Sequence, residues 1–164
     1  MDADLLVKLY DLEKYDHHHI NTLNILIEEG ITIKRPLSLD RKELTDYVHH
    51  QFNEYWANEA QSVFTDYPVS CFIAVKDQQV IGFACYDATA KGFFGPVGVS
   101  EPYRGKGIGE VLTRECLLAM REAGYAYTII GWVADETIPY YEQKFNAQVI
   151  EDSHPGIYGR MIKK

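Results

Sequence analysis

The sequence predicts an α/β (α+β) fold, a mixed and largely antiparallel twisted sheet of about six to seven strands flanked by about four helices. Three observations carry that expectation. Strand-like and helix-like segments follow one another in the order β-α-α-β-β-β-α-β-α-β-β, with no repeat and no linker. Val69–Val75 and Gln79–Tyr86 are apolar runs joined by the short KDQQ segment, so they form an antiparallel hairpin. Tyr127–Val133 (YTIIGWV) is apolar at both alternating sets of positions, as a strand covered on both faces would be.

Taken in order, residues 1–29 carry a mixed pattern that Gly30 closes, and read as an extension whose first residues are loose. Ile31–Pro36 alternates apolar and polar residues, as a strand does. Asp40 with Glu43 is a capping-box-like start for a helix over 40–52, whose stripe is Leu44, Tyr47, Val48 and Gln51. A second helix over 53–65 turns Trp56, Ala60, Val63 and Phe64 inward and ends before Pro68. After the hairpin, Gly92–Val99 is a glycine-rich strand. Ile108, Val111, Leu112, Cys116, Ala119, Met120 and Ala123 then recur at helical spacing up to Gly124. A short helix over 139–145 follows the central strand, and strands at Ala147–Ile150 and Ile157–Ile162 flank the turn DSHPG. Residues 1–164 are read as one domain, with 31–162 its core.

Composition narrows the function. The 164 residues include 16 basic and 24 acidic side chains, a net charge of −8, so a phosphate backbone is a poor partner and nucleic acid is not expected. No apolar run reaches the roughly 18–20 residues of a membrane span. The acidic start has neither a basic region nor a small-residue cleavage site, which makes a cytoplasmic address the expectation. Cys71, Cys85 and Cys116 each lie in an apolar run and read as reduced core residues. Asp16-His17-His18-His19 invites a metal reading, but three adjacent side chains cannot converge on one ion from a strand or helix, so no metal is expected there.

The chemistry concentrates in GPVGVSEPYRGKGIGEVL, Gly95–Leu112. A strand ends at Val99, a loop passes Pro102, and Gly105, Gly107 and Gly109 open an amphipathic helix. The first amides of a helix have no internal partner and point along the positive end of its dipole. Glycine lets backbone approach an anion closely, so a diphosphate flanked by Arg104 and Lys106 fits this junction. The spacing is neither G-x-x-x-x-G-K-[ST] nor G-x-G-x-x-G, and too little chain follows for a dinucleotide fold.

Arg104-Gly105-Lys106-Gly107-Ile108-Gly109 resembles the [RQ]-x-x-G-x-[GA] signature of the GCN5-related N-acetyltransferases (GNAT), in that family's context of strand before and long helix after. The likeness covers 31–162 and implies a sheet splayed at its central strands. It implies that amides of Gly105, Lys106, Gly107, Ile108, Gly109 and Glu110 hold the pyrophosphate of acetyl-CoA. It further implies that Val97, Gly98 and Val99 pair with the pantetheine arm and polarise the thioester carbonyl. Tyr140–Ala147 is similar to the family's L-Y-E-x-x-G-F segment, which places Tyr141 as the general acid for the departing thiolate. Asn146 stands for the usual glycine there, Ala147 for the usual aromatic, and the customary upstream asparagine is absent.

The general base is open. The family's carboxylate on the strand before the signature is missing, leaving Asp87 and Glu59 as candidates. Asp87 also reads as a solvated turn residue. Glu59 lies seven residues after Phe52, three after Trp56 and four before Val63, which puts a carboxylate on an apolar stripe. It either reaches solvent at the stripe's edge or, with Trp56, faces an amine. His154, in the last turn, reads as surface or as a further acceptor contact. The expected activity is transfer of an acetyl group from acetyl-CoA to a primary amine of a small-molecule acceptor, with no covalent enzyme intermediate. A non-catalytic acyl-CoA-sensing module and a nucleotide-binding domain are the rival readings. The family resemblance leaves room for a homodimer.

Overall fold

The structure, a computed structural model, describes residues 1–163. Its elements are β1 (Ala3–Lys8), α1 (His17–Glu28), β2 (Thr32–Lys34), α2 (Arg41–Gln51), α3 (Glu54–Ser62), β3 (Cys71–Lys76), β4 (Gln79–Tyr86), β5 (Phe93–Val99), α4 (Ile108–Glu122), β6 (Tyr127–Val133), α5 (Ile138–Phe145) and β7 (Gln148–Val149). They form a seven-stranded sheet in the order β2-β3-β4-β5-β6-β1-β7. Every neighbouring pair is antiparallel except β5 and β6, which run parallel. The mixed, largely antiparallel α/β architecture is the one the sequence predicts.

Two layers of helix cover the sheet. On β4, Ala84 and Tyr86 belong to the core beneath α4, while Phe83 and Cys85 point to the opposite core under α2 and α3. That alternation gives the strand two buried faces. The long helix α4 supplies Ile108, Leu112, Cys116 and Met120 at helical spacing to the first core. Leu44 and Val48 of α2, with Ala57 and Ala60 of α3, fill the second. All three cysteines are buried and free. No helix among the described residues is long and apolar enough to cross a membrane.

The two ends of the chain depart from expectation. Residues 3–8, expected to be loose, form an internal strand between β6 and β7, with Leu5 and Val7 fully buried. Their period-two pattern is short and interrupted, so only the long-range pairing with β6 reveals it. Conversely, the expected strand Ile157–Ile162 is a 3-10 turn over Gly156–Arg160. Pro155 offers no amide to a ladder, and Gly156 takes a φ of 57°, so the segment cannot continue an extended course.

Local signals at the helix starts also resolve differently. Asp40 makes no side-chain cap on α2; its carboxylate instead accepts from the Leu37 amide at 2.8 Å. Asn53 caps α3 through the Trp56 amide at 2.9 Å. Asp16 caps α1 through the His19 amide at 2.9 Å, so His17–His19 is the first turn of a helix. His19 is buried with its Nε2 2.9 Å from Glu115 Oε1 on α4, which ties α1 to the helix behind the glycine loop.

Candidate active site

The site grows from a divergence of strands. β5 and β6 pair at Phe93–Ile129 and Phe94–Ile130 and nowhere beyond. From there β5 stays registered with β4 through Val97, Gly98 and Val99, while its other edge faces a widening gap. Backbone amides and carbonyls along that edge are therefore open to a ligand. Two cavities occupy the gap. The first, about 690 Å³, runs from Val97–Val99 to the start of α4. The second, about 450 Å³, lies over Gly95–Val97 and Gly131–Val133. Trp56, Val97, Thr137, Tyr140 and Tyr141 line both, so the cavities meet at these residues.

At the far end of the larger cavity, Gly107 is the N-cap of α4 with a φ of 86°, and no side chain caps the helix. Left-handed backbone costs a residue with a Cβ roughly 1–2 kcal/mol, which explains glycine at this turn. The first intrahelical bond is Val111 N–H to Gly107 O at 3.0 Å, so the amides of Ile108, Gly109 and Glu110 precede the helical ladder. A Cβ at Gly109 would meet Val99 Cγ2 at 3.6 Å, an ordinary contact. Arg104 lines the cavity mouth, its Nε donating to Val99 O at 3.0 Å, whereas Lys106 turns aside to pair with Glu29 at 3.1 Å. Deeper in, the ring of Phe52 covers Gly98 so closely that a Cβ there would lie 2.5 Å from Phe52 Cζ.

In the smaller cavity Glu59 is half-buried on α3, and its carboxylate accepts a hydrogen bond from the Thr89 hydroxyl. Burial pushes the Glu59 carboxyl above its ordinary range, and the Thr89 bond offsets part of that rise. Tyr141 is buried on α5, and burial pushes its phenol up to about 12. It therefore keeps its proton throughout the neutral range. Tyr140 packs edge-on against it with ring centroids 5.1 Å apart, its phenol also raised by burial.

Opposite Glu59, Trp132 interrupts β6. It has a φ of 55°, and the β1–β6 register slips between the Ala3–Val133 and Leu5–Ile130 pairs. A bulky residue in left-handed backbone at a bulge redirects its side chain out of the strand's alternation. The cost, roughly 1–2 kcal/mol, is offset by the buried Asp4 of β1, whose carboxylate accepts from the Trp132 amide at 3.0 Å. Trp132 thereby stacks on Tyr158 of the last turn, centroids 4.5 Å apart and planes at 27°. The Tyr158 hydroxyl lies over Gly131, where a Cβ would collide with it.

The family model described as "Acetyltransferase (GNAT) family" matches residues 37–146. The chain belongs to the GNAT acetyltransferase family. Solved structures share the fold at low identity. A GCN5-related glucosamine N-acetyltransferase region of a fungal multi-domain GH3 β-N-acetylglucosaminidase is 16% identical with a TM-score of 0.69, covering 91% of this chain and 20% of that one. A GCN5-related N-acetyltransferase from Sphaerobacter thermophilus is 22% identical with a TM-score of 0.64, covering 90% and 48%. A GNAT acetyltransferase from Brucella melitensis, solved with acetyl-CoA, is 22% identical with a TM-score of 0.55, covering 73% and 86%. The chain thus spans less than half the length of the first two. No curated protein matches it.

Against this GNAT frame, the structure brings together Trp56, Glu59, Val97, Gly98, Val99, the start of α4 and Tyr141. It leaves Asp87 outside. That carboxylate lines neither cavity and is engaged at the β4–β5 turn, accepting from the Gly92 amide at 2.8 Å and from the Tyr125 hydroxyl at 2.9 Å. His154 is exposed on its turn and lines neither cavity; Tyr158, four residues on, reaches the cleft instead. Trp132, Tyr158 and Asp4 are the residues sequence reasoning passed over. Trp132 was hidden inside an apolar strand pattern, and Asp4 in a segment read as loose. No group of three or more His, Cys, Asp or Glu side chains among the described residues is arranged to hold a metal ion.

Proposed function

We propose that this GNAT protein is an acyl-CoA-dependent N-acyltransferase that moves the acetyl group of acetyl-CoA to a primary amine of a small-molecule acceptor. The supporting observation is the meeting of the two cavities at Tyr141, one ending on an uncapped glycine helix start and the other on a half-buried carboxylate. The first cavity fits a CoA thioester. Free amides of residues 108–110 and the dipole of α4 suit a diphosphate, with Arg104 at the mouth. The open edge of Val97–Val99 suits the amide-bearing arm as an added strand.

When bound, acetyl-CoA supplies an acyl thioester that an amine can attack. The chain's own residues supply position and protons. Glu59 accepts a proton from the acceptor's ammonium, and its raised carboxyl range brings it nearer the working pH of a base. Amides on the open edge of β5 are donors for a carbonyl oxygen at the seam. Tyr141 holds a proton for the departing sulfur and regains one from the nitrogen as the amide forms. Trp56 and Phe52 wall the seam against water.

Release of free CoA thiol from acetyl-CoA on addition of amines tests this reading. Amine-dependent, saturable release supports it. Acetyl-CoA binding with no release for any amine indicates the sensing module instead, and binding of nucleotides with no affinity for CoA overturns both.

A further inference from the structure

The acceptor cavity does not end at Glu59. On the other side of that carboxylate a further cavity of about 430 Å³ opens, and the two share Trp56, Glu59, Thr89, Trp132 and Tyr158 as their common wall. Among the described residues, Glu59 is the one charged side chain that lines either of them. Around it stand three large aromatic groups: Trp56 from α3, Trp132 from the bulge in β6, and Tyr158 from the last turn. Two of these are held deliberately. Trp132 is fixed in left-handed backbone by Asp4, and Tyr158 stacks on it.

This arrangement discriminates among amines. A single carboxylate balances a single ammonium group, and aromatic faces add attraction for that cation and for a flat apolar body beside it. No Lys, Arg or His lines either cavity among the described residues. An acceptor carrying its own carboxylate would lose water there and find no cation. A second ammonium on a polyamine would meet aromatic and neutral groups with no further carboxylate. We infer that the aromatic box of Trp56, Trp132 and Tyr158 around Glu59 selects a primary monoamine with an aromatic body, an arylalkylamine, over amino acids and polyamines. The assignment rests on the cleft being an acyltransferase acceptor site, and its test is read by binding as well as turnover.

Phenethylamine is the simplest probe, phenylalanine the same body with a carboxylate added, and spermidine the polycation. Binding to the wild-type protein saturated with CoA is measured by calorimetry. Phenethylamine is expected to bind about tenfold or more tighter than either comparison. Trp132→Ala is expected to weaken it about tenfold while CoA affinity is unchanged, since Trp132 does not line the CoA cavity. Equal or tighter binding of phenylalanine or spermidine overturns the selectivity, whatever happens in turnover. If phenethylamine binds as expected but no amine releases thiol, the acceptor box stands and the acyltransferase reading fails. If amines of every class turn over and bind alike, the acyltransferase reading stands and the box fails.

Discussion

The carboxylate of Asp4 accepts a hydrogen bond from the backbone amide of Trp132 at 3.0 Å, across 128 positions of the sequence. Through this bond a strand at one end of the chain shapes the wall of the smaller cavity. Asp4 also donates its own amide to Ser153 Oγ at 2.8 Å and, through its carbonyl, accepts from Ile150, so it braces the loop leading to Tyr158.

Loss of that carboxylate should cost both stability and acceptor binding. Asp4→Ala removes a charge-assisted bond to a strained amide and is expected to lower unfolding free energy by about 2 kcal/mol. Urea unfolding measures the first effect. A raised KM for the amine with unchanged acetyl-CoA affinity is the second, and a variant that moves only CoA affinity would contradict the assigned role.

Glu59 makes a pH prediction of definite sign. Its carboxyl is raised above the ordinary range by burial, with Thr89 opposing; Tyr158 from the last turn and the buried Cys85 thiol of β4 are the other titratable groups that feel it. The folded protein therefore retains a proton that the unfolded chain has released, and stability falls as pH rises from the ordinary carboxylate range through the folded value. Glu59→Gln keeps the acceptor for Thr89 but cannot ionise. Its unfolding free energy relative to wild type should climb through that window and then level off. Denaturant unfolding at a series of pH values reads this; a constant difference between the two proteins would remove the burial argument.

At the helix start, Gly107→Ala places a Cβ on backbone with a φ of 86° and within 3.0 Å of Thr22 Cγ2. The expected loss is about 1–2 kcal/mol of stability, with a disproportionate fall in acetyl-CoA affinity because the cradle itself must shift. Calorimetric titration with acetyl-CoA checks it, and wild-type affinity in the variant would show that the α4 amides do not hold the diphosphate.

The proposed role of Tyr141 as proton donor can be separated from packing. Tyr141→Phe keeps the buried ring and removes the hydroxyl. Turnover should fall by roughly 10²–10⁴-fold with CoA affinity intact. Tyr140→Phe should leave most activity in place, and the opposite ranking of the two variants would transfer the acid role to Tyr140.

What the sequence disclosed follows from how local each signal is. The β3–β4 hairpin, β5, the glycine turn at 105–109 and α4 are neighbours in the chain, and their turn, capping and periodicity signals agree. Glu59 was legible as a carboxylate on an apolar stripe, and the structure places it in the cleft wall. Asp87 misled because a carboxylate after a strand looks the same whether it faces a cavity or pins a turn, as it does here through Gly92 and Tyr125. The position of β1 was not legible, since its partners lie more than a hundred residues away and only Leu5 and Val7 mark its period. Trp132 sits in an unbroken apolar run, and nothing in YTIIGWV announces a residue in left-handed backbone.

In the proposed function, the splayed edge of β5, the start of α4 and Tyr141 together deliver an acyl group to an amine. The most direct measurement is CoA thiol release from acetyl-CoA by the wild-type protein, with and without phenethylamine. Little release is expected without the amine, saturable release with it, and one acetylated amine formed per thiol. Thiol release that is independent of amine, or tight acetyl-CoA binding with no acetylated product from any primary amine, would contradict it.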